Sequence, residues 1–353
     1  MKRIVFCADG TWNHPHSSVL VEDGDTNVYK LYKSLAVTSD QLTFYDDGVG
    51  VQGVVIEKLA GGAFGLGLFQ KVKDGYTALA HAYEEGDDLF IFGFSRGAYT
   101  ARSVAGMIAI CGLPTKNFDQ HLVDAAFQAY RSKNENERKL LLESLAGYDM
   151  VDAKIDMLGV WDTVGSLGIP ALFGGVSELV YGFLDTTLHG DVIHAYHALA
   201  VDERRAEFPP TLWTGAPKTG QAIEQVWFSG VHCDVGGGYS QSGLSDITLG
   251  WMIQKAKVLG LSFIDTALGK YAQIEPKHAL DELHHSWNPL WLFPKDRTVV
   301  QGSTLANSVK IRVAEDATYR PKSLQTGINN YDFVPVVPEP VPEISMAAAA
   351  GKS

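Results

Sequence analysis

Ser95 has the setting in this chain that most directly suggests chemistry. It stands in Gly93-Phe94-Ser95-Arg96-Gly97, a G-x-S-x-G pattern. The apolar run Leu89 to Phe92 precedes it, and the alanine-rich, helix-spaced stretch Ala98 to Ile110 follows. Strand, G-x-S-x-G, helix is the context of a nucleophile elbow, where a tight turn lifts a serine oxygen from the sheet edge. Gly93 and Gly97 remove the Cβ atoms that would collide with the strand and the helix. The helix N-terminus then favours negative charge developing beside the serine. The bland alternative is a βα turn whose serine caps the helix.

A nucleophilic serine needs a base, and the base needs an orienting acid. Elbow-type hydrolases deliver them in the order Ser, Asp, His. Asp162 follows the strand-like run Ile155–Trp161, and His232 follows Gln225–Phe228 in a glycine-rich loop. The competing acids are Asp202, Asp234 and Asp246. Asp234 lies too close to His232 in sequence and suits a loop-holding role through backbone hydrogen bonds. His194 and His197, on an expected helix, and His278, His284 and His285, in a polar stretch, read as solvated or core-satisfied. Two backbone N–H groups should receive the oxyanion: that of Arg96, and that of Gly10 or Thr11 in Asp9-Gly10-Thr11-Trp12. Asp9, Asp46, Asp47 and Asp234 could instead gather as a carboxylate cluster for Mg²⁺ or Ca²⁺, but no tight ligand motif is present. The expectation is no metal and no cofactor.

The elements that must position these residues alternate. Strands are expected at 3–8, Gln41–Tyr45, Leu89–Phe92 and Ile155–Trp161. Helices are expected at Asn27–Ser34, Phe69–Glu84 and Ala98–Ile110, with one or two more in Phe118–Leu145. That alternation predicts a mostly parallel sheet with helices on both faces. Ligands then bind at the carboxyl ends of the strands, where Asp9, Asp46, Ser95 and Asp162 fall. The glycine-rich stretch 59–67 lacks G-x-x-x-x-G-K-[ST] and reads as a packing loop, not a nucleotide site. Residues 166–190 are apolar with few charges and read as a small helical cap over the site or as core helix. Ile193–Val201 reads as a helix, as does Leu249–Lys257. Beyond about 270 the alternation becomes unclear. Residues 331–353 read as a Pro-rich extended or disordered tail. The expected organisation is one α/β-hydrolase-like catalytic domain over 1–330.

Composition narrows the partners. The 353 residues are 46% hydrophobic and 20% charged, ordinary for a globular protein with a full core. A net charge of −12 argues against nucleic acid, which needs basic patches. It gives no general attraction to anionic lipid surfaces either, although peripheral membrane contact through a local patch stays open. Three widely spaced cysteines, Cys7, Cys111 and Cys233, suggest neither a disulfide framework nor a zinc site. No signal-peptide or membrane-spanning run is visible. The expected location is the cytoplasm where it is made, with export by a route needing no cleaved leader left open.

Six ordered motifs resemble one family. They are Lys2 to Asn13 with its Asp9-Gly10-Thr11, Tyr45-Asp46-Asp47-Gly48-Val49-Gly50, Gly93 to Arg102, Gly159 to Gly165, His197 to Glu203, and Trp227 to Gly237. Together they resemble the α/β-hydrolase domain linked to type VI secretion phospholipase effectors, the first Tle class. The resemblance runs from residue 2 to about 255, and more weakly through Tyr319-Arg320-Pro321. It implies hydrolysis of phospholipid acyl esters, with Ser95, Asp162 and His232 in the triad positions, and a secretion-machinery partner for effector members. The expected activity is therefore a serine carboxylic ester hydrolase of lipid or phospholipid type. The alternatives are a non-catalytic hydrolase-like binding module and a metal-dependent phosphoesterase using the aspartates.

Overall fold

The computed structural model describes residues 1–10, 24–47, 63–164, 186–271, 274–288, 291 and 293–338. Its centre is an eight-stranded sheet in which all neighbours pair in parallel. In chain order the strands are β1 (Arg3–Ala8), β2 (Gln41–Asp46), β3 (Asp88–Phe94), β6 (Ile155–Trp161), β7 (Val192–Ala200), β8 (Ala222–Phe228), β9 (Thr304–Ala306) and β10 (Asp332–Val334). Leu113–Pro114 and Met150–Val151, β4 and β5, form a separate antiparallel pair. Across the main sheet the order is β10-β9-β8-β7-β6-β3-β1-β2. The chain winds one way from β1 to β2 and the other way from β3 onward. The strand order therefore reverses between β1 and β3, which is where sheets of this class place their ligands.

Period-two alternation decides which face each strand residue serves. Ile4 and Phe6 of β1, with Leu89 and Ile91 of β3, join one buried cluster. Val5 and Cys7, with Phe90, Phe92 and Phe94, join the other. The first face is covered by α2 (Ala63–Ala82), α3 (Arg96–Cys111) and α4 (Gln120–Arg131), with α5 (Glu135–Leu145) packed on α4. The second face is covered by α1 (Asn27–Ser34), α7 (Gly243–Val258) and α8 (Asp265–Tyr271), with the one-turn helix α6 (His232–Gly236) near the strand ends. Because both faces are covered, β3 is apolar and buried from Leu89 to Phe94. Truncating a core aromatic such as Phe92, fully buried, would cost about 3–5 kcal/mol.

Two expectations are corrected. Val192–Ala200 is a strand and not a helix: it pairs with β6 on one side and β8 on the other. A strand buried on both faces shows no alternation, so its apolar run reads equally as a helix. His194 and His197 accordingly sit on a strand. The start of the expected Pro-rich tail instead completes the sheet. Asp332–Val334 pairs with β9, and Val337 is buried, its N–H donating to Asn307 Oδ1 at 3.0 Å. Residues 339–353 lie outside the described residues, as do 166–185 of the expected cap and 59–62 of the glycine-rich stretch, whose residues 63–67 belong to α2 and not to a loop.

One buried amide ties three helices together. Thr26 caps α1, its hydroxyl oxygen accepting from Tyr29 N at 3.0 Å. The next residue, Asn27, reaches Val235 O at 3.0 Å on α6, and Ser245 O and Thr248 Oγ1, both at 2.8 Å, on α7. Replacing it leaves buried acceptors without that donor. Asn27→Ala should lower unfolding free energy by about 2 kcal/mol. In urea titrations this appears as a lower midpoint at unchanged slope.

Candidate active site

Ser95 sits between β3 and α3 with φ 58° and ψ −120°, a conformation that side-chain-bearing residues rarely hold. The flanking glycines make the turn possible. A Cβ on Gly93 would lie 2.4 Å from Gly97 O, and one on Gly97 only 2.1 Å from Ala8 O. Both contacts are with backbone, so neither can be relieved by a side-chain rotation. Ser95 N donates to Trp161 O at 3.0 Å, which extends the β3–β6 ladder through the turn.

Three strand ends converge on this serine. Asp162 follows β6, with φ 39°. His232 opens α6, just beyond β8. His232 Nε2 lies 2.9 Å from Ser95 Oγ, and its Nδ1 lies 2.6 Å from Asp162 Oδ2. All three side chains are buried. The carboxylate accepts from Nδ1–H, so this tautomer leaves Nε2 to accept the Ser95 hydroxyl proton. The ring of His232 packs against Phe94 at 4.6 Å and Phe208 at 5.0 Å between centroids. Gly236, one turn on, permits this approach: a Cβ there would lie 1.9 Å from the Phe94 ring.

The acid carries an unforeseen partner. Arg297 Nη1 donates to Asp162 Oδ1 at 2.6 Å, and Nη2 to Oδ2 at 2.9 Å. Ala200 N also donates to Oδ1, at 3.0 Å. Burial by itself would raise the Asp162 pKa. The Arg297 charge and the His232 bond outweigh it and hold the carboxyl well below the ordinary carboxylate range.

Glu203 supports His232 from behind. Its Oε2 accepts from His232 N at 3.2 Å and from Arg205 Nη2 at 2.9 Å, while Oε1 accepts from Ser286 Oγ at 2.8 Å. Burial opposes its ionisation, but Arg205 prevails and brings the pKa down to about 2. The Arg205 guanidinium lies 3.6 Å from the Phe208 ring centroid, and Trp291 packs edge-on to the same ring at 5.3 Å. His197 Nε2 accepts from Thr163 N at 3.1 Å, directly after the acid. Burial first, then the nearby Arg102 charge, lowers the His197 pKa to about 3, so it serves as a neutral acceptor.

The remaining expected site residues divide. Arg96 opens α3, so its N–H belongs to the first turn of that helix. Gly10 N donates to Asp9 Oδ1 at 2.6 Å, and Thr11 lies outside the described residues. The aspartates considered as metal ligands have other engagements. Asp9 accepts from Thr26 and Tyr45 hydroxyls at 2.6 and 2.7 Å, Asp46 pairs with Lys71 at 2.7 Å, and Asp234 pairs with His284 at 2.6 Å. Asp234 also accepts from Val231 N at 2.9 Å, the loop-holding bond expected of it. Among the described residues no three His, Cys, Asp or Glu side chains converge as metal ligands.

A parallel sheet between helical layers, with its serine on a glycine-flanked turn at the reversal of strand order, defines the α/β-hydrolase class. The chain belongs to the T6SS phospholipase effector Tle1-like catalytic domain family, whose profile matches residues 2–255. The chemistry that this description names is lipid ester hydrolysis. The chain is 29% identical over 241 residues to the uncharacterized protein YEL023C of Saccharomyces cerevisiae, covering 61% of this chain and 33% of that protein. An uncharacterized protein from Pseudomonas aeruginosa superposes with a TM-score of 0.44 at 17% identity, over 78% of this chain and 48% of that one. The Tle1 effector bound to the VgrG spike of the type 6 secretion system gives a TM-score of 0.38 at 18% identity, over 68% of this chain and 51% of that one. The chain thus spans about a third to a half of the length of these relatives. Among the described residues no helix is long and apolar enough to cross a membrane.

Arg297 was invisible in sequence: it lies within the stretch where element alternation fades and beyond the family match. Glu203 had a signal, since it closes the His197 to Glu203 motif, but no role attached to it. Its pKa falls from an ordinary 4.5 to about 2 on folding, so it contributes stability above pH 4.5 and loses it as pH drops toward 2. Glu203→Gln should therefore be less stable than wild type at pH 7 by on the order of 3 kcal/mol. That gap should close between pH 4.5 and 2, as read by urea unfolding at several pH values.

Proposed function

We propose that the chain is a serine hydrolase of carboxylic esters, acting on lipid or phospholipid acyl esters through Ser95, His232 and Asp162. The observation that carries this reading is the continuous link from Ser95 Oγ to His232 Nε2 at 2.9 Å and from Nδ1 to Asp162 at 2.6 Å. Membership of a phospholipase catalytic-domain family supports the lipid substrate.

In this mechanism Ser95 Oγ attacks the ester carbonyl carbon while His232 Nε2 takes the hydroxyl proton. Asp162 holds the imidazole in the needed tautomer and stabilises its cation. The carbonyl oxygen gains the negative charge and is received by the Arg96 N–H and an amide of the Gly10–Thr11 turn. For Gly10 to serve, its N–H would exchange the Asp9 carboxylate for the substrate oxygen. The tetrahedral adduct collapses, the C–O bond to the alcohol breaks, and His232 returns the proton to that leaving oxygen. Water, deprotonated by the same nitrogen, then attacks the acyl enzyme, and Ser95 leaves with its proton restored. The aromatic wall of Phe208 and Trp291 beside His232 offers apolar surface for an acyl chain. The segment 166–190, directly after the acid, remains the proposed cap. Export without a cleaved leader and docking to a secretion-machinery partner belong to the same reading.

Ser95→Ala should remove nearly all turnover of a short p-nitrophenyl ester, and labelling by a fluorophosphonate probe, with the circular dichroism spectrum unchanged. Persistent turnover in that variant would defeat the assignment. Asp162→Asn should reduce kcat by on the order of 10⁴-fold, the effect of losing the correct tautomer. A folded wild type that takes up no probe would point instead to a hydrolase-like binding module.

A further inference from the structure

We infer that Arg297 is a positioning residue for the reaction: by gripping both oxygens of Asp162 it fixes the acid's orientation and shares the carboxylate's charge with His232. This inference rests on the hydrolase reading above. The geometry is that of a fork on a carboxylate. Nη1 and Nη2 reach Oδ1 and Oδ2 at 2.6 and 2.9 Å, and the same two nitrogens donate to Ala200 O at 2.8 Å and Phe208 O at 2.9 Å. All of these groups are buried, so the contact is little screened by solvent. A planar guanidinium with four such bonds has one orientation available to it, and so does the carboxylate it holds.

The charge consequence follows from what faces the pair. His232 meets Asp162 on its Nδ1 side and Ser95 on its Nε2 side. Glu203, itself paired with Arg205, touches the His232 backbone. His197, beside Thr163, stays neutral. Asp234, two residues along, is engaged with His284. Among the described residues Arg297 is thus the guanidinium in direct contact with Asp162. In a triad the acid's negative charge stabilises the imidazolium. Here a second cation, Arg297, shares that carboxylate. Removing the arginine charge would strengthen the pull of Asp162 on the imidazolium.

The test uses the full chain and a short p-nitrophenyl ester over a range of pH. Arg297→Met is expected to lower kcat at neutral pH by roughly tenfold or more. It should also move the acidic limb of kcat/KM upward by about one pH unit or more. Arg297→Lys, which returns the charge without the fork, should bring the limb back to its wild-type position while kcat stays reduced. A folded Arg297→Met protein with an unmoved acidic limb overturns the inference. If that variant does not fold, the lysine variant decides: kcat equal to wild type overturns the positioning role. The His232 ring titration, followed by NMR, reads the same effect without substrate and should rise in Arg297→Met. An absence of Ser95 labelling in wild type would sink the hydrolase reading, while the NMR titration would still report the influence of Arg297 on the pair.

Discussion

The structure depends first on a backbone contact. The opening of α3 lies directly against the last carbonyls of β1, so closely that a methyl group on Gly97 would stand 2.1 Å from Ala8 O. This contact fixes how near the helix comes to the sheet, and hence where Ser95 is held. The rest of α3 follows the same rule, with Ala98, Ala101 and Ala105 buried where larger residues would push the helix away. On the same face α2 approaches β1 through Gly75, where a Cβ would meet the Phe6 ring at 2.7 Å. The positive φ of Ser95 costs of order 1–3 kcal/mol. It persists because the buried aromatic strand before it and the buried helix after it leave the turn no other path.

A second constraint is electrostatic. Asp162, Glu203, Arg205 and Arg297 lie around His232 with little access to solvent. Removing ions from water carries a cost of several kcal/mol each, so such a group survives only when charges balance and lone pairs are filled. The two anions and two cations cancel, and the carboxylate oxygens accept from backbone as well as from the guanidinium groups. His232 therefore sits among fixed dipoles and compensated charges, the setting in which an imidazolium would need little reorganisation.

Much of this was legible in the residues, for identifiable reasons. The elbow was readable because its chemistry demands glycine at two fixed positions beside the serine, a local requirement. The meeting of Asp162 and His232 near Ser95 was readable because each follows a strand of the same sheet. The strand at Val192–Ala200 was misread because burial on both faces erases the alternation that distinguishes strand from helix. Asp332–Val334 was misread because Pro335 and the prolines that follow it suggest an extended tail, and an edge strand tolerates such neighbours. Arg297 could not be found, since its role comes from a contact with a residue 135 positions earlier in the chain. Nothing in its own neighbourhood carries that information.

The remaining step concerns reach. Ser95, Asp162 and His232 come from β3, β6 and β8, and β7 lies between the last two. At the usual spacing of strands, β8 stands about 14 Å from β3. An imidazole cannot cross that gap, so the chain after β8 must turn back over the end of β7. It does so through Gly230 at φ 113°, then the single turn of α6, then Gly237 and Gly238 at φ 81° and 125°. The bend is tight enough that a Cβ on Gly230 would lie 2.3 Å from that of Asp234. β7 yields room by ending in Ala198 and Ala200, and the Ala200 amide helps hold Asp162. The position of the base is thus decided by glycines that touch no substrate. The contact between Ser95 and His232 is as sensitive to them as to the side chains that make it.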